Sequence, residues 1–295
     1  MNYKDHLDLY GYVIIPNILT KDEISHYTNL FESWRTSVPD LDYHHENMGV
    51  HGIYQFHEVG HQRFAWEIRT NEKVQQPFKD IWGTDELVVS FDGCCYMDKN
   101  IKKENVTWTH TDQAPEKKNR CCVQGLVSLT DNEQRTLVVY EGSHLLHKDY
   151  FYEGNRIYLD QINVKSDWQM IDEDYLKTIK DKCKVLKIPA GSLVLWDSRT
   201  FHQSQYGNPL HPEKRLVQYV CYLPKNDPKN TTKMTEDRLH YFKTRRTTTH
   251  WPYPIHTNSL QYSYCPSTSP SLYIDYEKLP KIDLDDLLPK INMLL

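Results

Sequence analysis

The apolar positions of the chain follow a helical period at first and a strand period from about residue 86 onward. The first helix is predicted to begin at Thr20, because Thr20 and Glu23 have the spacing of a capping box. Apolar side chains then recur every three or four residues, at Ile24, Tyr27, Phe31 and Trp34. We expect this apolar face to pack on a sheet.

A second helix is predicted from Glu72 to Trp82, and Gly83 is a suitable residue to end it. Pro77 lies inside this segment and predicts a kink or a later start. Between the two helices, residues 36–62 are polar and follow neither period, so we predict a loop over the mouth of a pocket. The five histidines of this loop have no zinc-site spacing, and His57 is only a candidate pocket residue.

Short runs rich in Val, Leu, Tyr and Cys follow, separated by Gly, Pro, Asn and Asp, and this pattern predicts β-strands. The predicted strands are residues 87–97, 106–112, 121–129, 137–140, 185–188, 193–196 and 215–223. Many short strands with few helices are typical of a jelly roll or barrel, so the expected fold class is mainly β with flanking helices. We expect one domain over residues 1–295, with a helical and loop part at 1–85, a jelly-roll core at 86–224 and a C-terminal cover at 225–295.

Composition narrows the class of protein further. A formal net charge of −5 argues against a nucleic-acid partner, because affinity for phosphates needs a basic face, although the net charge does not exclude local basic patches. No apolar run has the length of a signal peptide or a membrane span, and the final Met-Leu-Leu is not a peroxisomal address. These features predict an intracellular, cytoplasmic protein. Seven cysteines without a Cys-x-x-Cys motif predict reduced thiols.

The clearest chemistry lies in residues 108–113, which read Trp-Thr-His-Thr-Asp-Gln. In a strand, His110 and Asp112 point to one face, because side chains two residues apart do so. A further histidine, His202, follows the apolar run 193–196. Two histidines and one carboxylate form the facial triad of non-heme Fe(II) oxygenases, which leaves three coordination positions open. The His-x-Asp pair alone also occurs on ordinary surface strands, so by itself it leaves that alternative open.

Several segments follow one another in a fixed order: residues 11–16, 19–24, 81–93, 110–113, 137–144, 189–202, 214–215 and 246–252. Their order and content resemble the phytanoyl-CoA dioxygenase family of Fe(II)/2-oxoglutarate oxygenases. The resemblance implies a double-stranded β-helix with the metal at its open end, whereas periodicity and turns alone indicate only an all-β core. It also implies Fe(II), 2-oxoglutarate and O2, with ascorbate as a candidate additional reductant.

The same resemblance assigns roles to individual residues. It makes His110, Asp112 and His202 the metal ligands and the catalytic residues. Arg215, at the start of the strand after His202, matches the cation that binds the far carboxylate of 2-oxoglutarate. A planar guanidinium can bind a carboxylate through two parallel hydrogen bonds. Ser204 matches a hydroxyl that also contacts 2-oxoglutarate.

Further positions have less direct support. Gln124, on the strand after Asp112, matches another position of the 2-oxoglutarate pocket. Arg199, Trp108 and Tyr96 are candidates for substrate contact, and an exposed salt bridge is the alternative for Arg199.

Two stretches depart from the family pattern. Residues 133–136 read Glu-Gln-Arg-Thr where the family often has Asn-Gly, and Glu141 replaces its usual proline. Both lie at a turn, so they affect the local backbone rather than the metal ligands. His144 is interpreted as a structural or pocket-rim residue. Residues 245–252 are expected to form a packed cover rather than to contact the substrate.

The sequence therefore predicts a dioxygenase that hydroxylates a small or carrier-linked organic substrate and converts 2-oxoglutarate to succinate and CO2. One alternative is a catalytically silent jelly-roll binding protein of the same fold. Another is a cupin-like enzyme that uses a different metal, such as zinc or manganese. The sequence specifies neither the substrate nor the oligomeric state.

Overall fold

The computed structural model describes residues 2–48, 51–154, 163–257 and 274–295. Its helices are α1 (Tyr3–Tyr10), α2 (Lys21–Ser37), α3 (Leu41–Met48), α4 (Arg63–Arg69), α5 (Glu72–Trp82), α6 (Glu173–Thr178), α7 (Thr232–Lys243) and α8 (Leu288–Met293). Shorter helical turns span Val59–His61, Ser143–Leu145, His147–Asp149, Tyr150–Gly154, Lys180–Lys182, Tyr276–Lys278 and Asp285–Leu287.

The strands are short, as the sequence predicts. They are β1 (Tyr12–Ile15), β2 (Ile53–Tyr54), β3 (Leu87–Val89), β4 (Cys94–Met97), β5 (His110–Thr111), β6 (Val123–Ser128), β7 (Leu137–Tyr140), β8 (Gln169–Met170), β9 (Cys183–Val185), β10 (Leu193–Asp197), β11 (His202–Ser204) and β12 (Arg215–Pro224). The chain divides into two compact units. The first comprises Met1–Pro16 and Met97–Arg215, and the second comprises Asn17–Tyr96 and Leu216–Leu295.

The first unit contains two antiparallel sets of strands. In one, β10 pairs with β1 on one side and with β6 on the other. In the other, the order is β8-β5-β11-β7-β9. Every residue of β6 and β10 is buried, because both faces of these strands are covered. This explains why the sequence of β10 is a nearly continuous apolar run rather than an alternating one.

The second unit packs helices with two strand pairs, β3 with β12 and β2 with β4. Its core is aromatic. The ring of Phe31 on α2 lies 5.4 Å from Phe64 and 6.2 Å from Tyr54, with both contacts edge to face. Trp251, in the predicted C-terminal cover, is buried within this unit. None of the described helices is both long and apolar enough to cross a membrane.

Local sequence signals predicted two helices correctly. The Thr20 hydroxyl accepts the Glu23 backbone N–H, and the Glu23 carboxylate accepts the Thr20 N–H, as a capping box requires. The second predicted helix begins at Glu72 and ends before Gly83, which adopts a left-handed conformation with φ 67°. Pro77 is accommodated inside this helix.

The prediction of a loop over residues 36–62 was wrong in part, because α3 forms within it. Leu41 and His44 are buried, so tertiary packing stabilises a segment whose own apolar pattern is weak. Helix α1 was not predicted either. It has a capping residue at each end, Asn2 at the start and the left-handed Gly11 after its last residue.

Strand boundaries differ from the predictions where the chain turns. The predicted strand 87–97 is two strands, interrupted at Gly93, where an added Cβ would lie 1.9 Å from the Tyr54 carbonyl oxygen. Of residues 106–112, only His110–Thr111 is paired as a strand. The strand predicted at 185–188 occurs instead at Cys183–Val185. The six cysteines in the described residues are free thiols.

Candidate metal centre

His110 and His202 are brought together by the register of two antiparallel strands. They are direct partners across β5 and β11, and their ring centroids are 4.4 Å apart. Side chains of directly opposed residues lie on one face of a sheet and are close enough to act on the same atom. Both imidazoles are buried, each with 5% of its surface exposed. The two histidines therefore form a fixed pair at one point of the sheet.

Each imidazole is oriented by a backbone carbonyl. His110 Nδ1 lies 3.0 Å from the Trp108 oxygen, and His202 Nδ1 lies 2.8 Å from the Thr200 oxygen. A carbonyl can only accept, so Nδ1 carries the proton and Nε2 keeps its lone pair. Burial, followed by the neighbouring His110, lowers the pKa of His202, which favours the neutral form that binds a metal.

Asp112 completes the set. Its Oδ2 atom lies 3.5 Å from His110 Nε2 and 3.3 Å from His202 Nε2. Two ligand atoms about 2.1 Å from one octahedral ion, at right angles to each other, are about 3 Å apart. The ligand atoms of the three residues all lie within 4.8 Å of one another. The spacing therefore fits adjacent positions on one metal ion.

Gln124 contacts the carboxylate of Asp112. From β6, its Nε2 donates to Asp112 Oδ2 at 2.9 Å. Ser204 is buried on β11, and its backbone oxygen accepts from Trp108 Nε1 at 2.8 Å. The Trp108 ring in turn stacks on His110, with centroids 4.7 Å apart. These contacts hold the candidate ligand side chains in place. The positions of strands along the sequence do not predict them.

Arg215 is fully buried, and its guanidinium has no partner within the described parts of the chain. All three nitrogens lack a hydrogen bond there. Burying a charged group without a partner is strongly unfavourable, so such a site calls for an anion. The guanidinium can offer that anion parallel donors in a fixed plane. This is the strongest electrostatic indication of a ligand in the first unit.

Glu213 lies in the loop that leads to Arg215 and stabilises it. Its carboxylate accepts the backbone N–H groups of residues 133, 134 and 135, all within 3.1 Å. Three convergent N–H groups form an anion-binding nest. The stretch that departs from the family pattern is thus shaped by a side chain from another part of the same unit.

Arg199 is engaged in an ion pair. Its Nε and Nη2 donate to the two oxygens of Asp197 at 2.9 and 2.7 Å, and Arg120 binds the same carboxylate. Burial raises the pKa of Asp197, but the two guanidinium groups lower it further, so the net value lies below the usual range. The salt-bridge alternative for Arg199 therefore describes the observed geometry, although its partner Asp197 is buried rather than exposed.

Two other aromatic residues bear on the substrate predictions. Tyr96 belongs to the second unit, where its ring lies 5.2 Å from Phe31 and 5.2 Å from the Arg35 guanidinium carbon. Trp168, which the sequence did not single out, lies 5.9 Å from His110 and is 52% exposed. It is adjacent to β8, the strand that pairs with β5.

The remaining buried histidines have partners of their own. In the second unit, His57 Nε2 lies 3.1 Å from His44 Nδ1, and burial lowers the pKa of His57 to about 3. In the first unit, His144 Nε2 bonds to the Asp8 carbonyl oxygen at 3.0 Å, which supports a structural role. Within the described ranges, a single cluster of three or more His, Cys, Asp or Glu side chains could hold a metal, and it consists of His110, Asp112 and His202.

Comparison with known families agrees with this geometry. The model of the phytanoyl-CoA dioxygenase family matches residues 7–206. The chain belongs to this family. Its ligand set and family membership together identify a non-heme iron oxygenase.

Individual relatives match a larger share of the chain than the family model does. Ava biosynthesis cluster protein O of Aspergillus versicolor is 29% identical over 273 residues, which cover 85% of this chain and 86% of that protein. EctD from S. alaskensis, solved with 2-oxoglutarate and 5-hydroxyectoine, matches with a TM-score of 0.51 and 16% identity, covering 75% of this chain and 74% of EctD.

The epimerase SnoN, solved with Fe3+, alpha ketoglutarate and nogalamycin RO, also has a TM-score of 0.51 and 16% identity. The match covers 75% of this chain and 82% of SnoN. The fold is therefore a double-stranded β-helix with flanking helices, as the resemblance implied.

Proposed function

We propose that the protein is an Fe(II)- and 2-oxoglutarate-dependent dioxygenase that hydroxylates a small or carrier-linked organic substrate. 2-Oxoglutarate is decarboxylated to succinate and CO2 in the same reaction. The observation that carries this proposal is the buried guanidinium of Arg215, which has no hydrogen-bond partner among the residues that the structure describes and lies in the unit that also holds the His110, Asp112 and His202 set. A metal site alone would suit several enzyme classes, whereas a buried cation specifically favours an anionic co-substrate.

The three ligands suit Fe(II). Two neutral imidazoles and one carboxylate are donors of intermediate softness, and they leave three coordination positions for other ligands. Bound iron supplies the activation of O2 that amino-acid side chains cannot provide. The protein residues orient the ligands: the carbonyls of Trp108 and Thr200 fix the imidazoles, and Gln124 fixes the carboxylate.

Arg215 would bind the carboxylate of 2-oxoglutarate that is far from the metal, through two parallel hydrogen bonds. Ser204, buried two residues after His202, is the proposed hydroxyl partner. The iron and 2-oxoglutarate or alpha ketoglutarate bound to SnoN and EctD support this assignment by analogy of fold.

Arg199 is less suited to contact the substrate than the sequence suggested, because both oxygens of Asp197 already engage its guanidinium. Trp108 remains a candidate through its stacking on His110.

The test is anaerobic loading of the purified protein with Fe(II), followed by addition of 2-oxoglutarate and O2. We expect O2-dependent formation of succinate, at a slow rate when the substrate is absent. With a substrate from a metabolite screen, ¹⁸O from labelled O2 should appear in the product. Succinate formation without oxygen incorporation would favour an epimerase. The absence of iron binding and of succinate would favour a binding protein, and O2-independent activity with zinc or manganese would favour a cupin-like enzyme.

A further inference from the structure

The turn formed by residues 197–200, between β10 and β11, contacts two of the three metal-ligating residues. Its Thr200 carbonyl accepts His202 Nδ1–H at 2.8 Å. Its Ser198 carbonyl accepts the backbone N–H of Asp112 and the hydroxyl of Thr111, both at 2.9 Å. Movement of this turn would therefore displace one imidazole and the carboxylate together.

On the Asp112 side, the turn is held by Gln113. The Ser198 hydroxyl donates to Gln113 Oε1 at 2.8 Å. The same oxygen accepts the Cys121 N–H, and Gln113 Nε2 donates to the carbonyls of Lys117 and Asn119 at 2.7 and 2.8 Å. Gln113 is fully buried with its hydrogen-bonding capacity used, so this side of the turn is rigid.

On the opposite side, the turn is held by the carboxylate of Asp197, which is fully buried. Its Oδ1 accepts the backbone N–H and Nε of Arg199, both at 2.9 Å. Its Oδ2 accepts Arg199 Nη2 at 2.7 Å and Arg120 Nε at 2.8 Å. Arg120 also binds Asp8 of α1, at 2.7 Å. Four charge-assisted or backbone hydrogen bonds thus converge on one side chain.

The N-terminal segment adds a backbone anchor to the same turn. The Gly11 carbonyl accepts the Asp197 N–H at 2.9 Å and the Thr200 hydroxyl at 2.8 Å. A side chain at Gly11 would meet Thr200 Oγ1 at 2.7 Å and His144 Nδ1 at 2.5 Å, so this close approach requires glycine.

We propose that Asp197 is a positioning residue of the metal centre: by binding Arg120 and Arg199 it fixes the 197–200 turn, whose carbonyls hold His202 and Asp112. The inference rests on the proposed function to the extent that these residues bind a metal. A buried ion pair contributes little net stability compared with apolar packing, whereas it imposes a defined geometry. Groups that orient metal ligands commonly change metal affinity 10- to 100-fold when they are replaced.

The decisive substitution is Asp197→Asn, which keeps the shape of the side chain and removes its charge. Metal-free protein is titrated anaerobically with Co(II), and binding is followed by the ligand-field absorption of the ion. Wild type should bind one equivalent. Asp197→Asn should bind about 10- to 100-fold more weakly and with an altered absorption spectrum, because the ligands are displaced.

The matched control is Asn132→Ala. Asn132 is fully buried in the same unit and bonds to Ser128 and Thr130, so its loss destabilises that unit without touching the turn. The control should lower the melting temperature while leaving Co(II) affinity and spectrum unchanged. If it weakens binding as much as Asp197→Asn does, general destabilisation explains the loss and the inference fails.

Other outcomes are equally decisive. If Asp197→Asn binds Co(II) with the same affinity and absorption spectrum as wild type, the positioning role is overturned. The proposed function is then unaffected. Failure of wild type to bind Co(II) would instead overturn the metal centre itself. If Asp197→Asn does not fold, Arg120→Met replaces it, since this half-buried arginine supplies one of the four hydrogen bonds. Several-fold weaker binding would then support the role, and unchanged binding would refute it.

Discussion

His202 and His110 are direct partners on antiparallel strands, and each donates its Nδ1 proton to a carbonyl two residues before it. The two imidazoles are therefore placed by strand register and by the local backbone, not by a flexible loop. A slip of one residue between β5 and β11 would turn one of the histidines to the other face of the sheet. Asp112 follows the end of β5 and depends on Ser198 for its position.

The first prediction concerns the ligands. Substitution of His110, Asp112 or His202 by alanine should in each case abolish tight metal binding and O2-dependent succinate formation, because the two remaining donors bind the ion much more weakly. Equilibrium titration with Fe(II) or Co(II) measures this. His6→Ala, a histidine in the same unit that bonds to the Tyr12 carbonyl, should bind metal as wild type does. Retention of one tightly bound metal in Asp112→Ala would contradict the assignment.

The second prediction concerns Arg215. In Arg215→Leu the co-substrate carboxylate would lose its buried partner, at a cost of roughly 2–5 kcal/mol. This corresponds to about a thirty-fold to several thousand-fold rise in the apparent constant for 2-oxoglutarate. Metal affinity should stay near that of wild type. Arg215→Lys should give an intermediate constant, because the ammonium keeps the charge but not the paired donors.

The control for that measurement is Lys214→Leu, which removes the same charge from the preceding residue. We expect the binding free energy of 2-oxoglutarate to change by no more than about 0.5 kcal/mol in this variant. An unchanged constant in Arg215→Leu would assign the carboxylate to a different cation.

A third prediction separates two roles for Gln124. If its main partner is the Asp112 carboxylate, as the 2.9 Å hydrogen bond indicates, Gln124→Leu should weaken metal binding about 10- to 100-fold. If it serves 2-oxoglutarate, as the family resemblance suggested, the constant for 2-oxoglutarate should rise and metal affinity should not change. Parallel titrations of metal and 2-oxoglutarate distinguish the two.

The fourth prediction concerns pH and the second unit. Burial raises the pKa of Glu58 to about 7, although Arg245, 3.2 Å away, lowers it in part. The folded protein therefore keeps this proton up to about pH 7, whereas the unfolded chain loses it near pH 4.5. The folded state binds more protons in that window, so stability falls as pH rises from 4.5 to 7 and then levels off. The full effect on the free energy of unfolding is about 3 kcal/mol.

Glu58→Gln removes this titration. The free energy of unfolding of the variant minus that of wild type should be roughly 1–3 kcal/mol larger at pH 8 than at pH 4.5. Urea unfolding of both proteins at the two pH values gives the difference. If this difference is instead smaller at pH 8 than at pH 4.5, the ion pair with Arg245 lowers the pKa of Glu58 more than burial raises it.

The sequence predicted features that depend on neighbouring residues. The Thr20 capping box, the helix end at Gly83 and the limits of β7 at Leu137 and Tyr140 all follow from local patterns. Helix α3 was missed because its stability depends on tertiary burial of Leu41, which a weak local pattern does not reveal.

The same distinction applies to the metal centre. The identities of the three candidate ligands followed from the order of segments along the chain. The contact of Gln124 with Asp112, and the bonds that Thr111 and Gln113 make with Ser198, join residues that are between 12 and 87 positions apart. They depend on the pairing of strands that no local pattern specifies. Arg120 illustrates the difficulty, since its sequence position does not reveal that it binds the carboxylate of Asp197, 77 positions later.

Glu213 shows how a turn can be specified from a distance. Its carboxylate binds the N–H groups of residues 133–135, 78 to 80 positions earlier, in the stretch that departs from the family pattern. Loss of Glu213 alone should therefore leave three backbone N–H groups without their acceptor and the turn unsupported. A change in residues 133–136 and a change at position 213 are thus expected to accompany one another.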